Sequence, residues 1–128
     1  MKLYTDINQS KKLVEILPID SADMWWVERK PVYYLSFTKP SKENYSQDTI
    51  KDIPCWSTQA LLDEIPYTLL NKDNEDLKLH IEKDEEQYYL FYENEYNGDM
   101  FEIETDMYDD LVDACVEIIL KLKEKNLL

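Results

Sequence analysis

The chain has 128 residues, of which 44% are hydrophobic and 12% aromatic, so it is long enough for one domain with its own core. Its 28 acidic and 14 basic residues give a formal net charge of -14, which disfavours direct binding to a nucleic-acid backbone or an anionic lipid surface. A single glycine, Gly98, excludes phosphate-binding loops, dinucleotide fingerprints and nucleophile elbows, because each of these needs several glycines.

The hydrophobic stretches predict a soluble, cytoplasmic protein. A secretory signal has an apolar run behind a basic segment, and the start of the chain shows no such run. No stretch approaches the roughly 18 uninterrupted apolar residues that a membrane span needs. Cys55 and Cys115 are therefore expected as two reduced, buried thiols.

The first predicted element is a short helix in the stretch DINQSKKLVEILP. Asp6 followed three positions later by Gln9 is typical of a helix N-terminus, and Pro18 stops the helix. A β-hairpin is predicted next, in the stretch MWWVERKPVYYLSF, with a polar connection at residues 28–31. Because side chains alternate along a strand, Trp25 and Trp26 should face opposite sides.

A polar loop is predicted at residues 39–52, and its length is unusual for a compact domain. A second helix is predicted in the stretch DIPCWSTQALLDEIP. Ser57 is a suitable N-cap, Trp56 and Leu61 can form a hydrophobic staple, and Pro66 ends the helix.

Cys55 stands just before this second helix and is a candidate nucleophile only if a base lies nearby. The single histidine, His80, lies in the alternating run LKLHIEK, where Leu77 and Leu79 face one side and His80 the other. The pattern therefore disfavours a Cys55–His80 dyad and predicts a small buried side chain at Cys55.

The second half of the chain predicts a three-stranded antiparallel meander and a long helix. The strands are DLKLHIEK, QYYLFYEN and DMFEIET, and Asn97-Gly98 is the strongest hairpin signal between them. The helix is predicted from about Asp106 to Lys125, because apolar residues recur there at spacings of three and four.

These elements predict an α+β fold: a single domain over residues 1–128, with a mainly antiparallel sheet, two short helices and a long C-terminal helix packed on one face. Residues 6–38 and 56–93 each contain a helix followed by a hairpin. They are candidates for two related helix-hairpin subunits.

The excess negative charge lies in one segment. Residues 73–113 carry 16 acidic and 2 basic residues, whereas residues 1–72 have a net charge of -1 and residues 114–128 a net charge of +1. We expect one contiguous negative surface that binds a protein partner with a basic surface. The candidate contact residues are Asp84, Glu85, Glu86, Glu93, Glu95, Tyr96, Asp99, Asp106, Asp109 and Asp110.

Other interpretations of the acidic segment stay open. The carboxylates can simply keep the surface solvated, or they can imitate nucleic-acid phosphates and inhibit a nucleic-acid-binding protein. A divalent-cation site on the helix face of Asp106, Asp109, Asp110 and Asp113 and a small enzyme using Cys55, His80 or an acidic cluster are further alternatives. The residues predict no catalytic, cofactor or metal site.

The order of segments is distinctive, with IDSADMWW, then PCWSTQALLDEIP, then an aromatic meander, then DLVDACVEIILKLKEKNLL. Over most of its length the chain resembles a group of small uncharacterised proteins encoded by prophages and mobile elements of gut Bacteroidales bacteria. The resemblance implies a cytosolic accessory protein of a mobile element. It supplies no catalytic or binding residue.

Overall fold

The computed structural model contains three α-helices and seven β-strands in the part of the chain that it describes. That part is residues 1–29, 31–38, 52–71, 73–98 and 100–128, without the side chains of residues 100–102. The predicted loop at 39–52 lies outside these residues except for Asp52. In chain order the elements are α1 (Ile7–Leu13), β1 (Met24–Arg29), β2 (Val32–Ser36), β3 (Ile53–Cys55), α2 (Thr58–Glu64), β4 (Thr68–Leu70), β5 (Asp76–Asp84), β6 (Gln87–Asn94), β7 (Met100–Glu104) and α3 (Leu111–Glu124).

Side-chain caps fix the starts of the two short helices. Asp6 accepts from the Gln9 backbone N–H at 2.7 Å, and the Gln9 side chain accepts from the Asp6 N–H at 3.0 Å, which completes the capping box of α1. The Ser57 hydroxyl accepts from the Ala60 N–H at 3.2 Å and caps α2. Both predicted helix starts are confirmed.

The predicted first hairpin is confirmed, and it forms part of a three-stranded antiparallel sheet with the order β2-β1-β3. Trp25 is buried, whereas Trp26 points to the other side and donates its indole N–H to the Thr5 carbonyl at 3.0 Å. The sequence did not predict β3. Strand β3 contains Pro54, which has no backbone N–H to donate. An edge strand tolerates this residue, because among the described strands β3 has only β1 as a neighbour and no second strand needs that hydrogen bond.

The predicted meander is also confirmed. Strands β5, β6 and β7 pair antiparallel, with a register shift in the β6–β7 pair between Phe91 and Glu93. The short strand β4, which was not predicted, adds to the outer edge of β5. The strands therefore form two separate sheets of three and four strands, and not the single sheet that the sequence predicted.

The main core lies between the four-stranded sheet and the helices. Helix α3 packs on β6 and β7, α2 packs on α3, and α1 contacts both α3 and β3. Trp56, Leu61, Tyr92, Ile118 and Leu122 are fully buried there. The α+β class and the long C-terminal helix on one sheet face are thus confirmed, whereas two related helix-hairpin subunits stay a prediction.

Helix α3 begins at Leu111, five residues later than predicted. Tyr108 fits the helical spacing, but its backbone exchanges hydrogen bonds of 2.9 and 2.7 Å with Tyr88 and extends the chain alongside β6. Asp106 and Asp109 consequently precede the helix, so the helical face of four aspartates that a cation site required does not form. No helix among the described residues has the length and apolar character that spanning a membrane requires.

Candidate functional site

Apart from Glu93, the acidic candidates that the structure describes lie at two opposite ends of the four-stranded sheet. In an antiparallel meander successive turns alternate between ends, and the eight residues of β6 separate those ends by about 24 Å. Asp84, Glu85 and Glu86 lie at one end, where Asp84 pairs with Gln87, whereas Glu95 and Tyr96 follow β6 at the other. The expectation of one contiguous surface is therefore wrong.

The first end carries an exposed group of carboxylates that we call the acidic rim: Asp84 at the end of β5, Glu85 and Glu86 in the turn that follows, and Asp109 before α3. The turn and the helix entry are joined by Gln87, whose side-chain amide donates to Asp109 Oδ1 at 3.2 Å. Four acidic side chains from two distant segments thus share one edge of the protein.

Two features distinguish the acidic rim. Glu85 has a φ of +57°, in the left-handed region, where a residue with a Cβ other than Asn or Asp is uncommon. Among the described residues, no cation forms an ion pair with the rim carboxylates. The nearest lysine along the chain, Lys83, instead places its Nζ 5.5 Å from the centre of the Tyr88 ring.

Asp110 belongs to the same end of the sheet, but a basic residue lies against it. The backbone N–H of Lys2 donates to Asp110 Oδ1 at 2.9 Å, and the Lys2 ammonium contacts Asp113 at 2.8 Å and Asp6 at 3.0 Å. Gln9 donates a further hydrogen bond to Asp113 at 2.7 Å. The start of α3 is therefore partly neutralised, unlike the acidic rim.

These contacts shift the ionisation of the groups that make them. Partial burial lowers the pKa of Lys2, but the hydrogen bonds and charges of Asp113 and Asp6 outweigh it and raise that pKa above its ordinary value. Partial burial likewise raises the pKa of Asp6, yet its backbone hydrogen bond from Gln9 and its contact with Lys2 lower it overall. Both groups are thus held in their charged forms.

Asp106 is exposed, and its backbone N–H donates to Glu117 Oε2 at 3.1 Å. The pKa of Tyr108 is raised to about 12, mainly by a hydrogen bond with Glu117 and to a smaller extent by burial. Glu117 therefore fixes the segment that leads from β7 into α3, and Asp106 lies beside this contact.

The opposite end of the sheet has a shallow cavity of about 260 Å³ lined by Asp76, Lys78, Glu95 and Tyr96. Tyr96 is 84% exposed, and Lys78 pairs with Glu95 at 3.0 Å, which raises the pKa of Lys78. At this end Glu95 is therefore paired with a lysine. The candidate Asp99 lies outside the described residues.

Glu93 lies on the sheet face that is opposite α3. Its Oε2 is 3.6 Å from Nε2 of His80, and that nitrogen is buried with no hydrogen-bond partner among the described residues. The His80 ring stacks on Phe91, with ring centres 5.1 Å apart. His80 thus lies on the predicted face of β5, but it is half-buried by an aromatic neighbour.

Cys55 and His80 do not form a dyad. Cys55 is fully buried, and its sulfur lies 3.6 Å from the Thr5 hydroxyl and 3.4 Å from the Thr5 carbonyl oxygen. Burial, above all, raises the pKa of Cys55 to about 11 and that of Cys115 to about 12. Both cysteines are unpaired and buried, as the sequence predicted.

The described part of the chain holds no group of three or more His, Cys, Asp and Glu side chains that could bind a metal ion. Comparisons with protein-family models, with curated proteins and with solved structures found no match to this chain. The acidic rim is therefore the candidate site that the geometry itself defines. Sequence analysis found its acidic members but missed Gln87 as the link between turn and helix entry.

Proposed function

We propose that this protein is a non-enzymatic interaction protein that binds the basic surface of another protein through the acidic rim. The observation that supports this proposal is the exposed group of Asp84, Glu85, Glu86 and Asp109, which has no ion-pair partner among the described residues. Other acidic groups of the same charged segment, at Asp113 and Glu95, have lysine partners.

The acidic rim is better suited to binding a cationic partner than to stabilising the fold. Like charges at one turn repel each other, and the left-handed Glu85 adds a backbone cost of about 1 kcal/mol. A cationic partner would relieve the repulsion and would associate faster, because complementary potentials steer diffusing proteins together. Salt screens such interactions over about 8 to 10 Å, so binding should weaken as ionic strength rises.

The proposal also covers the context of the protein. We propose a cytoplasmic accessory role for a phage or mobile element, which is supported by the resemblance in segment order, and no direct binding to nucleic acid, which is supported by the net charge of -14. Inhibition of a nucleic-acid-binding protein by imitation of phosphates is a narrower form of the same proposal.

Affinity capture tests the proposal. The protein is immobilised and exposed to bacterial lysate at low and at raised salt, beside a rim variant with Asp84→Asn, Glu85→Gln and Glu86→Gln. The matched control neutralises three exposed acids elsewhere, through Glu15→Gln, Asp73→Asn and Glu124→Gln.

A basic protein should be retained at low salt by the wild type and by the control, and lost by the rim variant. Retention by the rim variant, or capture of salt-insensitive proteins alone, contradicts the proposal. Release of the captured protein by duplex DNA would support the narrower form, and retention in the presence of DNA would exclude it.

A further inference from the structure

Strand β5 has one edge that the described strands cover only in part. Strand β4 pairs there with residues 76–78 of β5, and the Tyr67 carbonyl accepts one further hydrogen bond from the Leu79 backbone N–H at 2.9 Å. The chain before Tyr67 then leaves this edge, because the Pro66 carbonyl accepts a hydrogen bond from the hydroxyl of Tyr92 in the core. No described strand pairs with this edge at residues 80–84.

We call residues 80–84 on this side of β5 the open edge. Backbone groups alternate in direction along a strand, so the N–H and C=O groups of Ile81 and Lys83 point to the same side as those of Leu79, away from β6. No described residue pairs with these groups. Residues 81–84 are all exposed, and Ile81 is 44% exposed. Unpaired backbone groups on an edge strand are a template for the addition of another strand.

The side chains along the open edge differ between the two faces of the sheet. Glu82 and Asp84 lie on the face opposite α3, and among the described residues neither carboxylate has an ion-pair partner. Ile81 and Lys83 lie on the other face. The Lys83 ammonium is directed toward β6, where it lies over the Tyr88 ring. The open edge thus offers negative charge on one face and an apolar side chain on the other.

We propose that the basic partner presents an extended segment that adds to the open edge as an antiparallel strand. Lysine or arginine residues of that segment would lie opposite Glu82 and Asp84, and an apolar residue would lie opposite Ile81. Such cross-strand pairs stabilise a sheet, whereas like charges that face each other destabilise it. A second copy of this chain is therefore the wrong occupant, because it would bring two negative edges together. The inference rests on the proposed function, since it identifies the part of the partner that lies beside the acidic rim.

The test uses the peptide acetyl-Lys-Val-Arg-Val-Lys-amide, which alternates basic residues with apolar residues of high strand propensity. Two-dimensional NMR of the backbone amides locates its binding. The Ile81 and Lys83 amides should shift and exchange more slowly with solvent, because they become hydrogen-bond donors. The Leu79 amide, which already donates to Tyr67, should keep its exchange rate. The same peptide with every backbone nitrogen methylated keeps its charges but cannot donate, so it should bind about tenfold more weakly.

A pair of variants tests the charge on the open edge. Glu82 does not belong to the acidic rim, and Glu82→Gln should weaken binding of the unmethylated peptide by about threefold. The matched control is Glu124→Gln at the end of α3, which removes the same charge and should leave peptide binding unchanged. Equal affinities of the two variants would show that no basic residue lies opposite Glu82 and would overturn the proposed alignment.

The remaining outcomes separate this inference from the proposed function. Absence of peptide binding would overturn the inference, and so would equal binding of both peptides, in which case the acidic rim would still be a site for basic groups. Wild-type binding by the variant with Asp84→Asn, Glu85→Gln and Glu86→Gln would contradict the acidic rim and this inference together. Slower exchange of the Ile81 and Lys83 amides at raised protein concentration without peptide would show that a second copy occupies the open edge, which also overturns it.

Discussion

Lys2 and Asp113 are 111 positions apart in the chain, yet their side chains form an ion pair with an Nζ–Oδ1 distance of 2.8 Å. This contact holds the N-terminal segment against the first turn of α3. It also offsets part of the negative charge in the most acidic segment. The acidic rim lies at the same end of the protein, but the described residues provide no such partner for it.

Replacing Lys2 with methionine should destabilise the protein by about 1 kcal/mol, because it removes a partly buried ion pair but keeps most of the side chain's apolar length. The free energy of unfolding in urea measures the effect. A double-mutant cycle with Asp113→Asn isolates the pair. A coupling energy near zero would show that the ion pair does not stabilise the fold.

Asp6 should make the stability depend on pH in the acidic range. Its pKa is lower in the folded protein than its ordinary value, so its contribution is fully present above the unfolded pKa of about 3.9 and is lost as the pH falls through the folded pKa. Asp6→Asn retains a good N-cap but loses the charge. The difference in unfolding free energy between wild type and Asp6→Asn should therefore shrink from pH 7 to pH 3. A difference that stays constant would contradict this assignment.

Replacing Glu85 by a residue that tolerates its left-handed backbone conformation should stabilise the protein. Asn tolerates the left-handed conformation better than other residues with a Cβ, so Glu85→Asn should be more stable than Glu85→Gln by about 0.5 to 1 kcal/mol. Both variants lose the same charge, so the comparison isolates the backbone contribution. Equal melting temperatures and equal urea midpoints would show that the turn is not strained at this residue.

Both thiols should be unreactive in the folded protein. Cys55 and Cys115 are fully buried, and their pKa values of about 11 and about 12 keep them protonated at neutral pH. Reaction with a thiol-specific disulfide reagent at about pH 8 should be slow until urea unfolds the chain, when both should react. Rapid labelling of one thiol under native conditions would show an accessible nucleophile and would favour the enzyme alternative.

Features with local signals could be predicted from the sequence. The Asp6–Gln9 capping box, the Ser57 cap and the hairpin strands follow from residues that are close together in the chain. Strands β3 and β4 have three residues each, and they exist because β1 and β5 offer them an edge. Such short strands have no pattern of their own.

Two errors have different physical causes. Tyr108 matches the spacing of the last helix, but its pairing with Tyr88 is a tertiary contact that overrides the pattern. The division of the acidic residues between two ends of the sheet could have been predicted from the sequence, because successive turns of an antiparallel meander lie at alternate ends. The contact of Lys2 with α3 could not have been predicted, because no local rule relates residues so far apart in the chain.

The association rate of the captured partner, measured at several salt concentrations, tests the central claim most directly. If the acidic rim steers binding, the variant with Asp84→Asn, Glu85→Gln and Glu86→Gln should associate about tenfold more slowly than wild type at low salt and depend less on salt. The control with Glu15→Gln, Asp73→Asn and Glu124→Gln has the same net charge and should keep most of the wild-type rate. Equal rates and equal salt dependence for the two variants would contradict the account, because total charge and not the acidic rim would then govern binding.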